Sequence, residues 1–532
     1  MTAVKTPCDA GVVRGAPAVA PCSPATEAWV LAACILGSSM AFVDGSVVNL
    51  ALPTLQRSLG ATVTDVQWVV ESYALFLASL LLIGGALGDR VGRRRVFAWG
   101  VALFATSSVA CGLAPSPGWL IGARAAQGIG AALLVPGSLA LLSATFPPER
   151  RGRAIGTWSA WSAAAAGIGP VLGGWLIEAA SWRWVFWINA PLAGAALTIT
   201  LTRVPESRSA AAAKRLDWPG TTLATAGLGA LVYGLIEAPR GGLGSPGIAI
   251  PIAAGLALLV GFVVVERLVP EPMVPLDLFR SRTFAGANLV TVFLYFALGG
   301  TFFFLPFVLI QVHHYSATQT GGALLPLIAP LFLLSPWAGG MADRYGARVP
   351  LVLGPLIAAC GYVLLGLPGT GGSYWRTFFP GIVVLGLGMA VSVAPLTSTV
   401  MSAAPADRAG AASGINNAVS RAAGLLAIAV FGLVATSHFS RVLDRRLDAL
   451  GVPAEYRTVL AGVRNRLAAA EIPPSVPAEE RAVLRRAVEE AFVQTFHTLM
   501  IIAAGFAVAA AASAWAMIGA SLPRSPPHVR PS

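Results

Sequence analysis

Charged residues are scarce in this sequence: they make up 11% of its 532 residues, whereas hydrophobic residues make up 56%. A soluble protein carries about 25% charged residues. A chain with so few polar side chains cannot cover a globule in water, so a soluble globular fold is excluded. The sequence also lacks a Gly-x-x-x-x-Gly-Lys-Ser/Thr loop, so the phosphate-binding site of an ATP-driven pump is not expected.

Cysteine is equally sparse. The five cysteines are scattered and show neither the spacing of a zinc site nor that of a disulfide framework. We therefore predict no metal site and no cofactor.

Long apolar runs fill most of the chain from Trp29 onward. Each is about 20 residues long, the length of helix that spans a bilayer core. The sequence therefore predicts an all-α integral membrane protein with fourteen transmembrane helices, at about 28–52, 66–88, 96–114, 119–142, 154–178, 183–203, 218–238, 248–267, 283–310, 320–341, 349–368, 375–400, 410–437 and 495–519.

The basic residues are distributed unevenly between the two sides of these segments. The short loops on the side away from the N-terminus hold only Arg57, Arg183, Arg240 and Arg376. Cytoplasmic loops carry the excess of lysine and arginine, so both termini are predicted in the cytoplasm of a cell whose inner membrane holds the protein. The net charge of +12 is explained in this way, and no nucleic-acid partner is expected.

Two charged motifs recur at nearly one offset. The turn Gly85–Arg95 is echoed by Gly339–Arg348, and Pro148–Ala154 by Pro405–Ala411; their aspartate or glutamate positions differ by 254 (343 − 89) and 258 (407 − 149). Duplicated halves are typical of secondary transporters. The predicted organisation is a disordered cytoplasmic tail (1–27), a six-helix bundle (28–203), two inserted linker helices (218–267), a second six-helix bundle (283–519) containing an extracytoplasmic helical loop (438–494), and a cytoplasmic tail (520–532).

The loop 438–494 carries two apolar helical faces separated by prolines, which predicts a helical hairpin on the external surface. A structural cap, a substrate gate and a partner site all remain open as its role.

Four ionisable residues lie well inside the predicted segments: Asp44, Glu71, Arg124 and Arg421. A charge at the bilayer centre costs at least ~2.5–3.5 kcal/mol, so each requires a reason. An apolar cavity disfavours the charged form of a carboxylate, so Asp44 is predicted to exchange a proton or to pair with a cationic substrate; a permanently hydrogen-bonded carboxylate is the alternative.

Glu71 is the second carboxylate predicted to act in coupling, and its alternative is a structural role. Arg124 cannot lose its proton and must face a carboxylate, a helix C-terminus or water, either to tune a titrating acid or as a structural ion pair. Glu178, Glu237 and Glu266 lie near segment ends and are expected to reach the membrane interface.

Several of these motifs together resemble one family. They are Gly85-x-Leu-Gly-Asp-Arg-x-Gly-Arg-Arg94, Arg124-x-x-Gln-Gly-x-Gly130, Gly169-Pro-x-x-Gly-Gly174 and Asp44-x-x-x-Val-Asn-x-Ala-Leu-Pro53. From about residue 28 to 519 the sequence resembles the major facilitator superfamily, in its fourteen-helix branch of drug:proton antiporters. Ala165 departs from the pattern, because a glycine usually leads the helix-five motif.

The resemblance implies a major facilitator fold of two six-helix pseudo-repeats plus two inserted helices, and an exporter energised by the proton gradient. Its first half would carry proton coupling, and a central cavity would take amphipathic, often cationic, compounds. The predicted partners are such molecules, protons and membrane lipids; the protein is predicted to be a monomer, and the sequence does not indicate whether a periplasmic adaptor binds.

The predicted site residues fall into three groups. Coupling and substrate binding are assigned to Asp44, Glu71 and Arg124. The conformational motifs are assigned to Gly85, Asp89, Arg90, Gly92, Arg93, Gly169, Pro170, Gly173, Gly174, Asp343 and Arg344. The cavity is assigned to Trp68, Tyr73, Asn49, Gln127, Asn416, Asn417 and Arg421, although the aromatic members would equally suit lipid contact or helix packing.

Other functions fit the same fold. A flippase for lipids or amphiphiles, an exporter of an endogenous metabolite and a proton-coupled uptake symporter remain open. An intramembrane enzyme would need paired catalytic residues at membrane depth, and a receptor would bring a substantial soluble signalling domain. The sequence favours neither, so the protein is predicted not to be an enzyme.

Overall fold

The computed structural model describes residues 23–208, 216–270, 272–405, 408–453 and 476–519, together with residues 456, 457, 460, 467 and 472. These residues form helices, and no strand occurs among them. The helices are α1 Pro24–Ser58, α2 Val63–Val91, α3 Arg93–Gly112, α4 Pro117–Thr145, α5 Pro148–Ala179, α6 Trp184–Trp187, α7 Asn189–Arg203, α8 Trp218–Gly241, α9 Pro246–Leu268, α10 Arg282–Phe307, α11 Ala317–Ala323, α12 Leu325–Tyr345, α13 Arg348–Gly366, α14 Tyr374–Ser402, α15 Ala409–Ala449 and α16 Ala478–Met517. A 3₁₀ helix, Leu276–Arg280, precedes α10, and a π-helical turn, Val308–Val312, follows it.

The helix count is close to the prediction. Within the described residues, 13 helices are long and apolar enough to cross a membrane. The predicted segment 320–341 is instead divided into α11 and α12, which meet at Leu324. The protein is thus an all-α, multi-pass membrane protein.

The first helix begins earlier than the sequence predicted. The Ser23 hydroxyl accepts a hydrogen bond from the Thr26 amide, and Pro24 occupies the first turn, where a missing N–H costs nothing. Glu27, predicted to lie in the tail, is therefore helical and buried, and its carboxylate accepts hydrogen bonds from Arg150 at 2.8 and 2.9 Å. Residues 1–22 and 520–532 lie outside the described residues.

A glycine separates the two flanking helices in both copies of the charged turn. Gly92, between α2 and α3, has φ 133°, and Gly346, between α12 and α13, has φ 78°. Only glycine adopts such backbone angles without strain. Gly346 follows Gly92 by 254 residues (346 − 92), the offset of the sequence motif, so the repeat extends to backbone geometry.

The chain forms two compact units. The first takes in residues up to Val274, Phe302–Ala323 and Leu425–Phe496, and the second takes in Pro275–Thr301, Leu324–Gly424 and the chain from His497. The predicted division into two bundles and a linker remains a prediction.

Helices of the first unit pack closely through glycines. A Cβ built on Gly84 of α2 would lie 2.0 Å from the Ala132 carbonyl oxygen of α4. One built on Gly130 of α4 would lie 2.6 Å from the Phe104 amide nitrogen of α3. Small residues permit this approach, which replaces the hydrophobic drive that is absent between helices in lipid. The backbone of α4 is thereby fixed between α2 and α3.

The region 438–494 differs from the predicted surface hairpin. α15 continues without a break to Ala449, and α16 begins at Ala478, so both long helices pass through the predicted loop boundaries. Of the predicted apolar face of α16, Leu484 and Phe492 are buried, whereas Val483 is 47% exposed. The prolines at 473 and 474 lie outside the described residues.

Candidate functional site

Three polar side chains from two helices meet in the interior of the first unit. Asp44 of α1 and Arg124 of α4 form an ion pair with 2.6 Å between Oδ2 and Nη1. Gln127, one turn after Arg124, donates from Nε2 to Asp44 Oδ1 at 2.9 Å and accepts from Arg124 Nη1 at 2.7 Å. None of the three is more than 1% exposed. Each carboxylate oxygen of Asp44 thus has its own donor.

Helix α2 holds the guanidinium from the other side. Arg124 Nε donates to the Val69 carbonyl oxygen at 3.1 Å, and the guanidinium carbon lies 4.1 Å from the centre of the Tyr73 ring. Gly128, one turn beyond Arg124, makes this possible, because a Cβ there would lie 2.4 Å from the Tyr73 carbonyl oxygen. A cation over an aromatic face is favourable, and more so where water is excluded.

Arg124 has two acceptors besides Asp44, the Gln127 Oε1 and the Val69 carbonyl oxygen. A broken buried pair is costly where it leaves a buried charge without partners. Arg124 would therefore keep partners if its contact with Asp44 were lost.

Glu71 lies apart from this cluster. Its side chain is fully buried, and neither carboxylate oxygen has a hydrogen-bond partner in the described part of the chain. On the same face of α2, Gln67 donates to the Ile428 carbonyl oxygen of α15 at 2.9 Å, and Leu75 packs with Leu425 and Val232. Arg124 pairs with Asp44 and not with Glu71, so the two predicted coupling carboxylates occupy different environments.

The predicted cavity residues of the first unit make separate contacts. Tyr73 and Gln127 belong to the Asp44 cluster, and Trp68 of α2 packs on the Tyr233 ring of α8 with centroids 6.2 Å apart. Asn49 donates to the Gly45 carbonyl oxygen within its own helix.

The remaining cavity residues belong to the second unit. Asn416 of α15 donates to Asn288 Oδ1 at 3.2 Å and to Thr291 Oγ1 at 2.6 Å, both on α10. Asn417 is exposed, and Arg421 is half-buried.

The first charged turn is held by a residue that sequence reasoning missed. Asp89 pairs with Arg93 at 2.8 Å, while Arg90 is exposed. Glu206, in the segment after α7, accepts a hydrogen bond from the Arg94 amide at the start of α3. A Cβ on Gly92 would lie 2.7 Å from this carboxylate. Glu206 is 112 residues from Arg94, and no spacing rule in the sequence connects them.

In the second copy of the turn, Arg344 is exposed. The side chain of Asp343 lies outside the described part of the structure, so its predicted role stays a prediction.

The glycine–proline motif of α5 lies against α1 and α11. A Cβ on Gly169 would lie 2.2 Å from Ser46 Oγ, and one on Gly173 would lie 2.3 Å from Val47 Cγ1. A Cβ on Gly174 would lie 2.5 Å from the Ala317 carbonyl oxygen. A Cβ on Gly85 would lie 3.5 Å from the Pro136 side chain, an ordinary van der Waals distance. Gly169 and Gly173 of the α5 motif therefore lie in tight contact with α1, at Ser46 and Val47, which follow Asp44 by two and three residues.

Comparison with known proteins identifies relatives over most of the chain. The family model described as Major Facilitator Superfamily matches residues 34–428. The chain is 33% identical over 487 residues to the tetracenomycin C resistance and export protein of Streptomyces glaucescens, covering 91% of this chain and 90% of that protein. It is 38% identical to multidrug resistance protein Stp of Mycobacterium tuberculosis (82% and 81% covered) and 37% identical to the puromycin resistance protein pur8 of Streptomyces alboniger (77% and 82% covered).

Solved structures agree on the fold. A bacterial homologue of the human lysosomal transporter Spinster, inward-facing and unoccupied, superposes with a TM-score of 0.65 at 20% identity, covering 92% of this chain and 98% of that chain. A D-xylose–proton symporter superposes with a TM-score of 0.58 at 14% identity, covering 92% and 98%.

Proposed function

Because the chain belongs to the Major Facilitator Superfamily and is a membrane transporter rather than an enzyme, we propose that it exports amphipathic, drug-like molecules in exchange for protons. Antibiotic or multidrug resistance in the names of three relatives supports the export of such molecules. The observation that carries proton exchange is the buried Asp44–Arg124 pair with Gln127 as a third member.

In this proposal Asp44 is the proton carrier and Arg124 is the fixed cation that holds it when it is charged. A proton that reaches Asp44 from the outer side breaks the ion pair, and Arg124 stays bonded to Gln127 and the Val69 carbonyl oxygen. Release of the proton on the inner side restores the pair. The electrical part of the proton gradient supplies about 2.3 kcal/mol per charge for each 100 mV.

Glu71 is assigned to the substrate rather than to the proton carrier. A buried carboxylate with both oxygens unpaired in the described residues is a place where the cationic group of a substrate gains a partner. The proposal also includes the cell's inner membrane as location, both termini in the cytoplasm, a monomer, and no cofactor besides the proton gradient.

Substrate-driven proton movement in proteoliposomes tests the function. Vesicles with an acidified lumen are mixed with puromycin or tetracenomycin C, and lumenal pH is followed by a trapped dye. Wild type is expected to release protons on addition of a substrate, and Asp44→Asn is expected to lose this release while still binding the compound. Glu237→Gln is the matched control, because among the described residues the ion pair of Glu237 is a local one with Arg240.

Three results would contradict the proposal. Proton release that survives Asp44→Asn would place the carrier elsewhere. Transport that does not depend on the pH gradient and that persists in Asp44→Asn would favour a flippase for lipids or amphiphiles. Uptake driven by an inward proton gradient would favour a symporter.

A further inference from the structure

A second pair of acidic side chains lies at the inserted helices, where α8 begins and α9 ends. Asp217 is 8% exposed and Glu266 is 2% exposed. Glu266 lies in the last turn of α9, as its predicted place near a segment end requires, and its side chain is buried within the protein. One oxygen of each carboxyl group faces Gly220.

The backbone satisfies one oxygen of each carboxyl group. The Gly220 amide donates to Asp217 Oδ1 at 2.8 Å, and the Val274 amide donates to Glu266 Oε2 at 2.9 Å. The other oxygens, Asp217 Oδ2 and Glu266 Oε1, are buried and have no hydrogen-bond partner in the described chain. A Cβ on Gly220 would lie 2.5 Å from the first and 2.9 Å from the second, so both point into the space that this glycine leaves open.

Two adjacent buried carboxylates cannot both stay ionised without a compensating charge. No ion pair with either is found among the described residues. Arg267, the residue after Glu266, is exposed. Lys214, Arg215 and Glu271 lie outside the described residues.

We infer that Asp217 and Glu266 form a second proton-holding site, in which one shared proton clasps the chain at Val274. Asp217 lies at the N-terminus of α8, where the helix dipole favours a negative charge, and Glu266 lies in the last turn of α9, where the dipole disfavours one. The proton therefore resides on Glu266, whose O–H donates to Asp217 Oδ2.

A metal ion fits this place less well. Calcium and magnesium require about six oxygen ligands, and among the described residues two carboxylate oxygens of the pair are unengaged. A nearby side chain is Met273, whose sulfur lies 3.6 Å from Thr221 Oγ1 and is a soft ligand that hard cations avoid. No group of three or more metal-binding side chains occurs among the described residues.

The hydrogen bond to the Val274 amide lies at the end of the first stretch of chain that belongs to the first compact unit. Val274 is the last residue of its long N-terminal stretch, and the second unit begins at Pro275. Loss of the shared proton leaves two charged carboxylates facing Gly220, and their repulsion pushes Glu266 away from the Val274 amide. The proposal predicts that the backbone at Val274 is held in the protonated state and loosens when the proton leaves.

Hydrogen–deuterium exchange of the full-length protein in detergent tests this inference without any substrate. Peptides covering 269–276 are followed from about pH 5 to pH 9 and corrected for intrinsic exchange. Wild-type protection is expected to fall by about tenfold or more toward high pH, the effect of losing a hydrogen bond to a charged or acidic partner. Glu266→Gln and Asp217→Asn should each give protection that no longer depends on pH, because an amide donates without a titrating proton.

Glu237→Gln, at the opposite end of α8, should leave the wild-type pH response unchanged. A flat wild-type profile would overturn the inference, and so would a pH response that persists in Glu266→Gln or Asp217→Asn. If protection changes at fixed pH when magnesium or calcium is added, the site binds a metal ion rather than a shared proton. Because no transport is measured, these outcomes are independent of the Asp44 experiment.

Discussion

Removal of Arg124 should destabilise the protein more than removal of the charge on Asp44. Arg124→Gln leaves the Asp44 carboxylate buried with Gln127 as its one remaining side-chain donor in the described structure. Breaking a buried pair in this way costs about 3–5 kcal/mol. Asp44→Asn leaves Arg124 bonded to Gln127 and the Val69 carbonyl oxygen, so its cost should be about 1–3 kcal/mol.

The double variant separates pairing from local damage. Asp44→Asn/Arg124→Gln has no buried charge, so it should be more stable than Arg124→Gln alone. The coupling energy should be about 2–3 kcal/mol, the upper part of the range for residues in contact. Thermal unfolding in detergent, followed by intrinsic fluorescence, ranks the four proteins by apparent Tm.

Arg183→Gln is a control with an arginine of different surroundings. Arg183 donates to the Ala114 carbonyl oxygen at 3.0 Å and lies 4.3 Å from the Trp182 ring centre, and no ion pair of it is found within the described residues. Its loss should cost about 1 kcal/mol. If the double variant is as unstable as the sum of the two single variants, Arg124 and Asp44 do not stabilise each other and the reasoning fails.

Three further predictions address positions around the site. Gly128→Ala should lower both apparent Tm and transport, because the new methyl group would meet the Tyr73 carbonyl oxygen at 2.4 Å, whereas Gly122→Ala, which meets open space, should change neither. Glu206→Gln should slow transport while leaving substrate affinity unchanged in equilibrium binding, since it weakens the hold on the charged turn; an unchanged rate would contradict this. Glu71→Gln should leave or raise apparent Tm and weaken the transport of cationic compounds relative to neutral ones; equal loss for both classes would exclude an electrostatic role.

Much of the fold could be predicted from the sequence, because apolar length alone defines a membrane helix. The positions where a helix is interrupted or extended by tertiary packing could not be predicted. The junction at Leu324 lies within an apolar run, and Pro326 in the first turn of α12 is compatible with a break there but does not require one. The extension of α15 to Ala449 was missed because its outer part is charged, and hydropathy then places the helix end at the membrane boundary.

The candidate site was only half accessible from sequence. Asp44 and Arg124 stood out because a charge inside an apolar segment is costly. Which carboxylate pairs with Arg124 depends on the orientation of α4 about its axis relative to α1 and α2. That orientation cannot be inferred from the sequence. The burial of Glu266 could not be predicted for a related reason: the sequence shows its distance from the helix end, but not the hydrogen bond that its carboxylate accepts from the Val274 amide.

The length of α15 and α16 has a practical consequence. At 1.5 Å per residue, helices of 41 and 40 residues are about 60 Å long, twice the roughly 30 Å hydrocarbon core of a bilayer. Each helix is therefore longer than a bilayer core, and the ion pair between Arg446 and Glu490 joins the two helices beyond the ends of the predicted membrane segments. An antibody fragment raised against this helix pair would serve as a fiducial marker for electron cryomicroscopy.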